Sequence, residues 1–125
     1  MRLLLDTHVV LWWVERPKRL AREAYAAIEA PANDVFVSAV TAWELAIKGA
    51  KSRLELPADL LDELHRQAFV ELPITWAHSL AAGGLPPHHD DPFDRMLVAQ
   101  ARAEQLTIVT RDPKVALYDV EVMPA

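Results

Sequence analysis

The chain has 125 residues, 52% of them hydrophobic and 25% charged, with a formal net charge of -5 and no cysteine. That leaves room for one globular domain with its own core, and it excludes a disordered, fibrous or disulfide-stapled chain and any thiolate metal site. The excess of acid argues against a protein that coats nucleic acid by charge alone. Nucleic acid stays open as a substrate, because acids that hold metal ions drop out of the tally. No apolar run approaches the ~20 residues of a membrane span: 3–5 stops at Asp6 and 9–14 stops at Glu15. The start lacks a signal-peptide cleavage region. These features predict a single domain over residues 1–125 in the cytoplasm, with no membrane contact.

In chain order, Arg2-Leu3-Leu4-Leu5 is a continuously apolar run, as in a strand buried on both faces of a parallel sheet. It ends at Asp6-Thr7-His8, where Asp6 is either a helix cap or an acid at a strand end. Residues 9–14 read as a short buried helix or a contact surface, stopped by Pro17. Its adjacent Trp12 and Trp13 cannot both face one core, so one of them is expected to meet a partner. Residues 18–30 are rich in helix formers, with Leu20, Ala24, Ala27 and Ile28 on one stripe. Arg16, Lys18, Arg19 and Arg22 form the densest basic patch, for which a solvated face is the plain reading. Val35-Phe36-Val37 is a second strand.

Ser38 opens a helix over 39–48 that ends at Gly49. Thr41 and Glu44 make a capping box if the helix starts at Thr41; if Ser38 is the cap, Glu44 lies in the second turn and faces something else. Lys48, Lys51 and Arg53 form a second basic group before Pro57. Residues 58–68 read as a helix with Leu60, Leu61, Leu64 and Ala68 on its apolar face, and 69–72 as a third strand closed by Pro73. A helix over 75–82 is capped by Thr75 and stops at Gly83-Gly84. Asp91-Pro92 then starts a strong helix, with an Asp N-cap and Pro at its first position. This makes Asp94 the third helical residue, among the unpaired N–H groups of the first turn. Residues 106–110 are the clearest strand, followed at once by Arg111-Asp112-Pro113, and 120–123 form a last strand. Strands alternating with helices at these intervals imply right-handed crossovers and a mainly parallel α/β sheet.

In such a sheet, strand C-termini and helix N-termini share one edge, where open α/β sheets bind ligands. Asp6 follows the first strand, Glu44 lies early in the helix after the second, Asp94 is in the first turn of a helix, and Asp112 just follows the fourth strand. Capping explains any one of them but poorly explains four acids converging from separate segments. Four close carboxylates repel unless a cation neutralises them. Oxygen ligands favour Mg²⁺ or Mn²⁺, which keeps waters and leaves room for a phosphate, so metal-assisted phosphodiester cleavage is the chemistry expected.

The segments 3–8, 38–48, 89–101 and 110–112 together resemble PIN-domain proteins, and more narrowly the VapC-type toxins of type II toxin–antitoxin pairs. The likeness runs the length of the chain, and Asp91-Pro92-Phe93-Asp94-Arg95 is its most specific part. The resemblance implies a three-layer α/β/α sandwich around a mainly parallel sheet of four to five strands. It implies a Mg²⁺- or Mn²⁺-dependent endoribonuclease, a homodimer, and a small antitoxin that holds the toxin inactive in a hetero-oligomer. By position, Asp6, Glu44 and Asp94 match the family's three core acids, and Asp112 matches the fourth, more variable one. His8 stands where many members have Asn or Ser; a hydroxyl beside the site comes from Thr7 or Thr110. Asp91 reads as a cap or a group behind the ligands.

Other residues carry weaker readings. His88-His89-Asp90-Asp91 suits Zn²⁺ or Ni²⁺ by donor type, but adjacent residues seldom point at one ion, so both histidines are read as loop residues near substrate. Arg95 is expected to pair with a carboxylate at the core edge, or else to touch a phosphate. Lys48 is placed for an i,i+4 pair with Glu44, or else for contact with an RNA phosphate. The competing functions are a non-catalytic PIN-like interaction module and a phospho-receiver domain. The second fits poorly, because the first strand is followed by a single acid and the third ends in Glu71-Leu72-Pro73.

Overall fold

The computed structural model describes residues 1–50 and 59–125. Lys51 and Arg53 of the second basic group, and the expected helix start at Ala58, lie outside the described residues. Among the described residues, five strands form one parallel sheet: β1 (Arg2–Leu5), β2 (Asp34–Ser38), β3 (Val70–Leu72), β4 (Thr107–Thr110) and β5 (Val122–Pro124). Their order is β3-β2-β1-β4-β5, with Leu3 opposite Val35 on one side of β1 and Leu4 opposite Ile108 on the other. The helices are α1 (Thr7–Glu15), α2 (Arg22–Glu29), α3 (Ala39–Ala50), α4 (Leu60–Arg66), α5 (Trp76–Gly83) and α6 (Pro92–Glu104).

Alternation along the strands divides the core into two layers, as the period of two in an extended chain requires. Leu3, Leu5, Val35, Val37 and Val109 pack with Val9 and Val10 of α1 and with Leu20, Ala24 and Ile28. Leu4 and Ile108 face the other way, onto Val40 of α3 and Leu97, Val98 and Ala101 of α6. The three-layer sandwich expected for the chain is therefore the architecture found. No helix among the described residues is long and apolar enough to cross a membrane.

Four local expectations are corrected. The helix over 18–30 is broken: a 3₁₀ turn spans Pro17–Arg19, Leu20 and Ala21 are extended, and α2 starts at Arg22. The apolar stripe survives the break because Leu20 reaches the core from extended backbone. Gly49 does not end α3, which runs to Ala50; one glycine costs a helix only about 1 kcal/mol. In α4 the face is narrower than its leucines suggest, since Leu61 is exposed and Ala68 lies beyond the helix with a φ of 59°. Strand β5 begins two residues late and ends on Pro124, a residue tolerated at a sheet edge.

Trp12 and Trp13 both pack, half-buried, against the same core layer. Trp12 stacks under Arg111, while Trp13 leans on Tyr25 and donates its indole N–H to Gln67 at 3.2 Å. The tryptophans at the surface are instead Trp76, 91% exposed, and Trp43, 60% exposed.

A buried polar network links α6 to the β2 edge. Gln100 is fully buried; its Oε1 accepts from the Ser38 hydroxyl at 2.6 Å and its Nε2 donates to the Pro73 carbonyl at 3.2 Å. Gln100→Ala would strand both partners, so a loss of about 2 kcal/mol in urea-unfolding stability is expected. A variant as stable as the original would show that the network contributes little.

Candidate metal and active site

The strand order places β1 next to both β2 and β4, so the chain leaves β1 on one side of the sheet and returns on the other. A crevice opens outside the strand C-termini at such a switch point. Asp6 follows β1 directly and Asp112 follows β4 by two residues. Asp6 is buried and caps α1: its Oδ1 accepts from the Val9 N–H at 2.9 Å, and its Oδ2 from the Thr110 hydroxyl at 2.5 Å. Burial raises its pKa above the ordinary aspartate value, with the Thr110 and Val9 hydrogen bonds pulling the other way.

Glu44 lies in the second turn of α3 and is 4% exposed. The capping-box alternative fails. Ser38 takes the cap position, its Oγ accepting from the Val40 N–H at 3.0 Å, and Thr41 is buried within the helix. Glu44 Oε1 accepts from the Thr7 hydroxyl at 2.6 Å, and Oε2 pairs with Lys48 one turn on. The two threonines thus divide the work, Thr110 holding Asp6 and Thr7 holding Glu44.

Asp91 caps α6, its Oδ1 accepting from the N–H groups of Phe93 at 2.8 Å and Asp94 at 3.4 Å. The cap orients Asp94 into the crevice, where its pKa is pushed up to about 7. Burial is the largest cause, followed by the charge of Asp91; His89 opposes the shift, and Asp6 and Glu44 add to it. Asp112 differs. Burial alone would raise its pKa, but the Lys114 backbone N–H at 2.9 Å and His89 outweigh it and hold the carboxyl below the usual range.

His89, expected only as a loop residue near substrate, lies between two of the acids. Its Nε2 is 2.7 Å from Asp112 Oδ2 and 3.1 Å from Asp94 Oδ2. Its Nδ1 accepts from the Asp91 N–H at 3.1 Å, and its own backbone N–H donates to the Tyr118 hydroxyl at 2.9 Å. No sequence signal could have found this contact, because the turn that aims the ring is set by Tyr118, 29 residues away. His88 points elsewhere and packs edge-on against Tyr118.

Arg95 does not pair with a carboxylate among the described residues. Its guanidinium donates to the carbonyls of Ala82, Leu85 and Pro86, each at 3.0 Å, and to that of His89 at 3.3 Å. It braces the carbonyls where α5 ends and the Pro86-Pro87 loop begins, beside the Leu85 N–H on Ala82 and the His88 N–H and Tyr118 hydroxyl on Pro86.

A cavity of about 320 Å³ opens over the acids, lined by Asp6, His8, Trp12, Asp94, Arg111 and Asp112. Arg111 lies over the Trp12 ring, 4.3 Å from its centroid, and is tied down by the Ala125 carbonyl at 2.9 Å. The donor set suits a hard divalent cation, because carboxylate oxygens dominate the lining: Asp6, Asp94 and Asp112. Ligand atoms of His89, Asp94 and Asp112 lie within 4.8 Å of one another.

The sequence matches the PIN domain family model over residues 3–121. It is 34% identical over 113 residues to Ribonuclease VapC22 of Mycobacterium tuberculosis, covering 88% of this chain and 86% of that protein. FitAcB from Neisseria gonorrhoeae superposes with a TM-score of 0.63 at 25% identity, covering 98% of this chain and 96% of that one. VapBC2 from Rickettsia felis, solved bound to a DNA fragment from their promoter, has a TM-score of 0.74 at 16% identity, with 98% of each chain covered. At that identity the likeness is one of fold.

Proposed function

Since the chain belongs to the PIN-domain family, we propose that it is a single PIN domain acting as the ribonuclease toxin of a toxin–antitoxin pair. In this reading it is a cytoplasmic endoribonuclease dependent on Mg²⁺ or Mn²⁺, with Asp6, Glu44, Asp94 and Asp112 as its metal-binding and catalytic acids. The observation that carries the reading is that Asp6, Asp94 and Asp112 line one cavity at the sheet's switch point, with Glu44 buried behind it and bonded to Thr7, the neighbour of Asp6. Among its relatives is a named ribonuclease, and the fold is shared with VapBC and FitAcB structures.

Each acid has a distinct task. Asp6 and Asp94 line the cavity and would present their carboxylate oxygens to a cation held there. Glu44 is buried and anchored by Thr7 and Lys48, so it supplies fixed negative charge from behind. Asp112 stays ionised at neutral pH, its pKa held low by Lys114 and His89. A divalent cation held by these acids would supply a polarised water and offset charge on the scissile phosphate. Arg111, packed over the Trp12 ring, forms the wall beside the acids and offers a positive charge to the RNA strand.

Partners fit the remaining surface. Trp76 and Leu80 lie four residues apart on α5 at 91% and 80% exposure, and Trp43 stands out from α3. Apolar residues so exposed suit burial in a homodimer and in a complex with a small antitoxin.

The test is cleavage of structured RNAs by partner-free protein in Mg²⁺, Mn²⁺ or EDTA. Cleavage is expected with either metal, none with EDTA, and a loss of at least about a hundredfold in Asp6→Asn. Metal-independent cleavage, or full activity in Asp6→Asn, would remove the mechanism.

A further inference from the structure

We infer that His89 is a positioning residue which, through its Nε2–H, holds the Asp94 and Asp112 carboxylates together as one cation seat without itself ligating the metal. The inference rests on the proposed reading of the site and goes beyond it. The imidazole sits where metal chemistry would first suggest a ligand, since its Nε2 lies about as close to both carboxylates as a shared ion would require. The hydrogen bonds around the ring argue otherwise.

A neutral imidazole has one nitrogen that donates and one that accepts. The Asp91 backbone N–H can only donate, and it points at His89 Nδ1 from 3.1 Å. Nδ1 is therefore the acceptor, and the proton sits on Nε2. That nitrogen faces two carboxylate oxygens, at 2.7 Å and 3.1 Å, both of which can only accept when ionised. A protonated Nε2 has no lone pair for a metal, and Nδ1 is already used. The ring is a donor shared between two acids.

The backbone reinforces that role. His89 N–H donates to Tyr118 Oη, and His89 C=O accepts from Arg95, so the residue is gripped on both sides of its Cα. Its side chain is 10% exposed, which leaves the ring little freedom to swing out. Asp112 is held at its other oxygen by the Lys114 N–H. His89 thus joins an acid that follows β4 to an acid in the first turn of α6, at opposite ends of a helix–strand unit. Outer hydrogen-bond partners of metal-binding carboxylates commonly change metal affinity by about 10–100-fold when removed.

The experiment compares Mn²⁺ affinity, read by electron paramagnetic resonance, in the unaltered chain, His89→Ala and His89→Gln. Glutamine carries an amide N–H to roughly the place of Nε2 but is a poor substitute for a metal-bound imidazole. His89→Ala is expected to weaken Mn²⁺ binding at least about tenfold, and His89→Gln to recover it to within about threefold. Two further measurements need no variant. Nitrogen-15 spectra of the metal-free chain should report the Nε2–H form of His89, and pulsed resonance of the Mn²⁺ complex should lack the coupling of a directly bonded imidazole nitrogen. That coupling, unchanged affinity in His89→Ala, or a His89→Gln variant as weak as His89→Ala would each overturn the inference and leave the nuclease reading standing. Failure of the unaltered chain to bind Mn²⁺ at all would instead remove the metal-dependent reading, and this inference with it.

Discussion

Asp94→Asn is expected to abolish RNA cleavage while making the metal-free protein more stable above neutral pH. The carboxyl has an ordinary value of 3.8 and is pushed up to about 7 in the fold, by burial first and by Asp91, Asp6 and Glu44. The folded state therefore holds this proton more tightly than the unfolded chain. Stability from Asp94 is full below about pH 4, falls as pH rises, and is lost once the folded group ionises near 7. Asn carries no charge and escapes the loss, which at pH 8 is on the order of 2 kcal/mol, or several degrees in Tm. The gain should shrink towards pH 4 and vanish below it. Thermal unfolding at pH 4, 6 and 8 measures this, with the RNA assay alongside. A variant less stable than the original at pH 8 would show that Asp94 is not under the electrostatic load described. The same shift predicts that apparent Mn²⁺ affinity falls on the order of tenfold per pH unit below 7, because the cation must displace the Asp94 proton.

Arg95 is the second position with a large expected effect. Four carbonyls accept from its guanidinium, and the Tyr118 hydroxyl lies at 3.5 Å from the same nitrogen that reaches His89. Arg95→Ala would take the guanidinium donor from the Leu85 and His89 carbonyls and weaken the hold on those of Ala82 and Pro86, which keep other donors, at about 3 kcal/mol of unfolding free energy. It would also release the backbone of His89, so activity should fall even where the protein remains folded. Arg95→Lys is expected to recover little of either, since one ammonium cannot span acceptors arranged for a planar fork. Chemical denaturation and RNA cleavage of both variants provide the check. Full rescue by lysine would mean that charge, not the shape of the fork, is what the loop requires.

The fold was largely legible because its signals are local. Leu3-Leu4-Leu5 and Val35-Phe36-Val37 are apolar on both faces, so they read as central strands, and they pair in register as neighbours. Asp91-Pro92 announced a helix start and the cap is made as expected. The failures were also local in origin. The 18–30 stripe kept its spacing through a break that periodicity does not register, and Gly49 was read as a stop although the helix tolerates it. The tryptophan argument failed differently: it assumed one core-facing direction, whereas Arg111 covers Trp12 from a distant strand end.

By itself, the sequence determined that the first and fourth strands end before Asp6 and Asp112 and that α6 begins at Pro92, and hence that these acids and Asp94 share one edge of a parallel sheet, with Glu44 on the helix after the second strand. Those features depend on patterns spanning a few residues, which backbone geometry reads directly. Tertiary structure alone decided which groups stand behind the acids. Thr110 reaches Asp6 across 104 residues, Thr7 reaches Glu44 across 37, and His89 reaches Asp112 across 23. Such contacts follow from strand order and from which carbonyls a loop leaves unpaired. Neither is written in the spacing of the residues that make them.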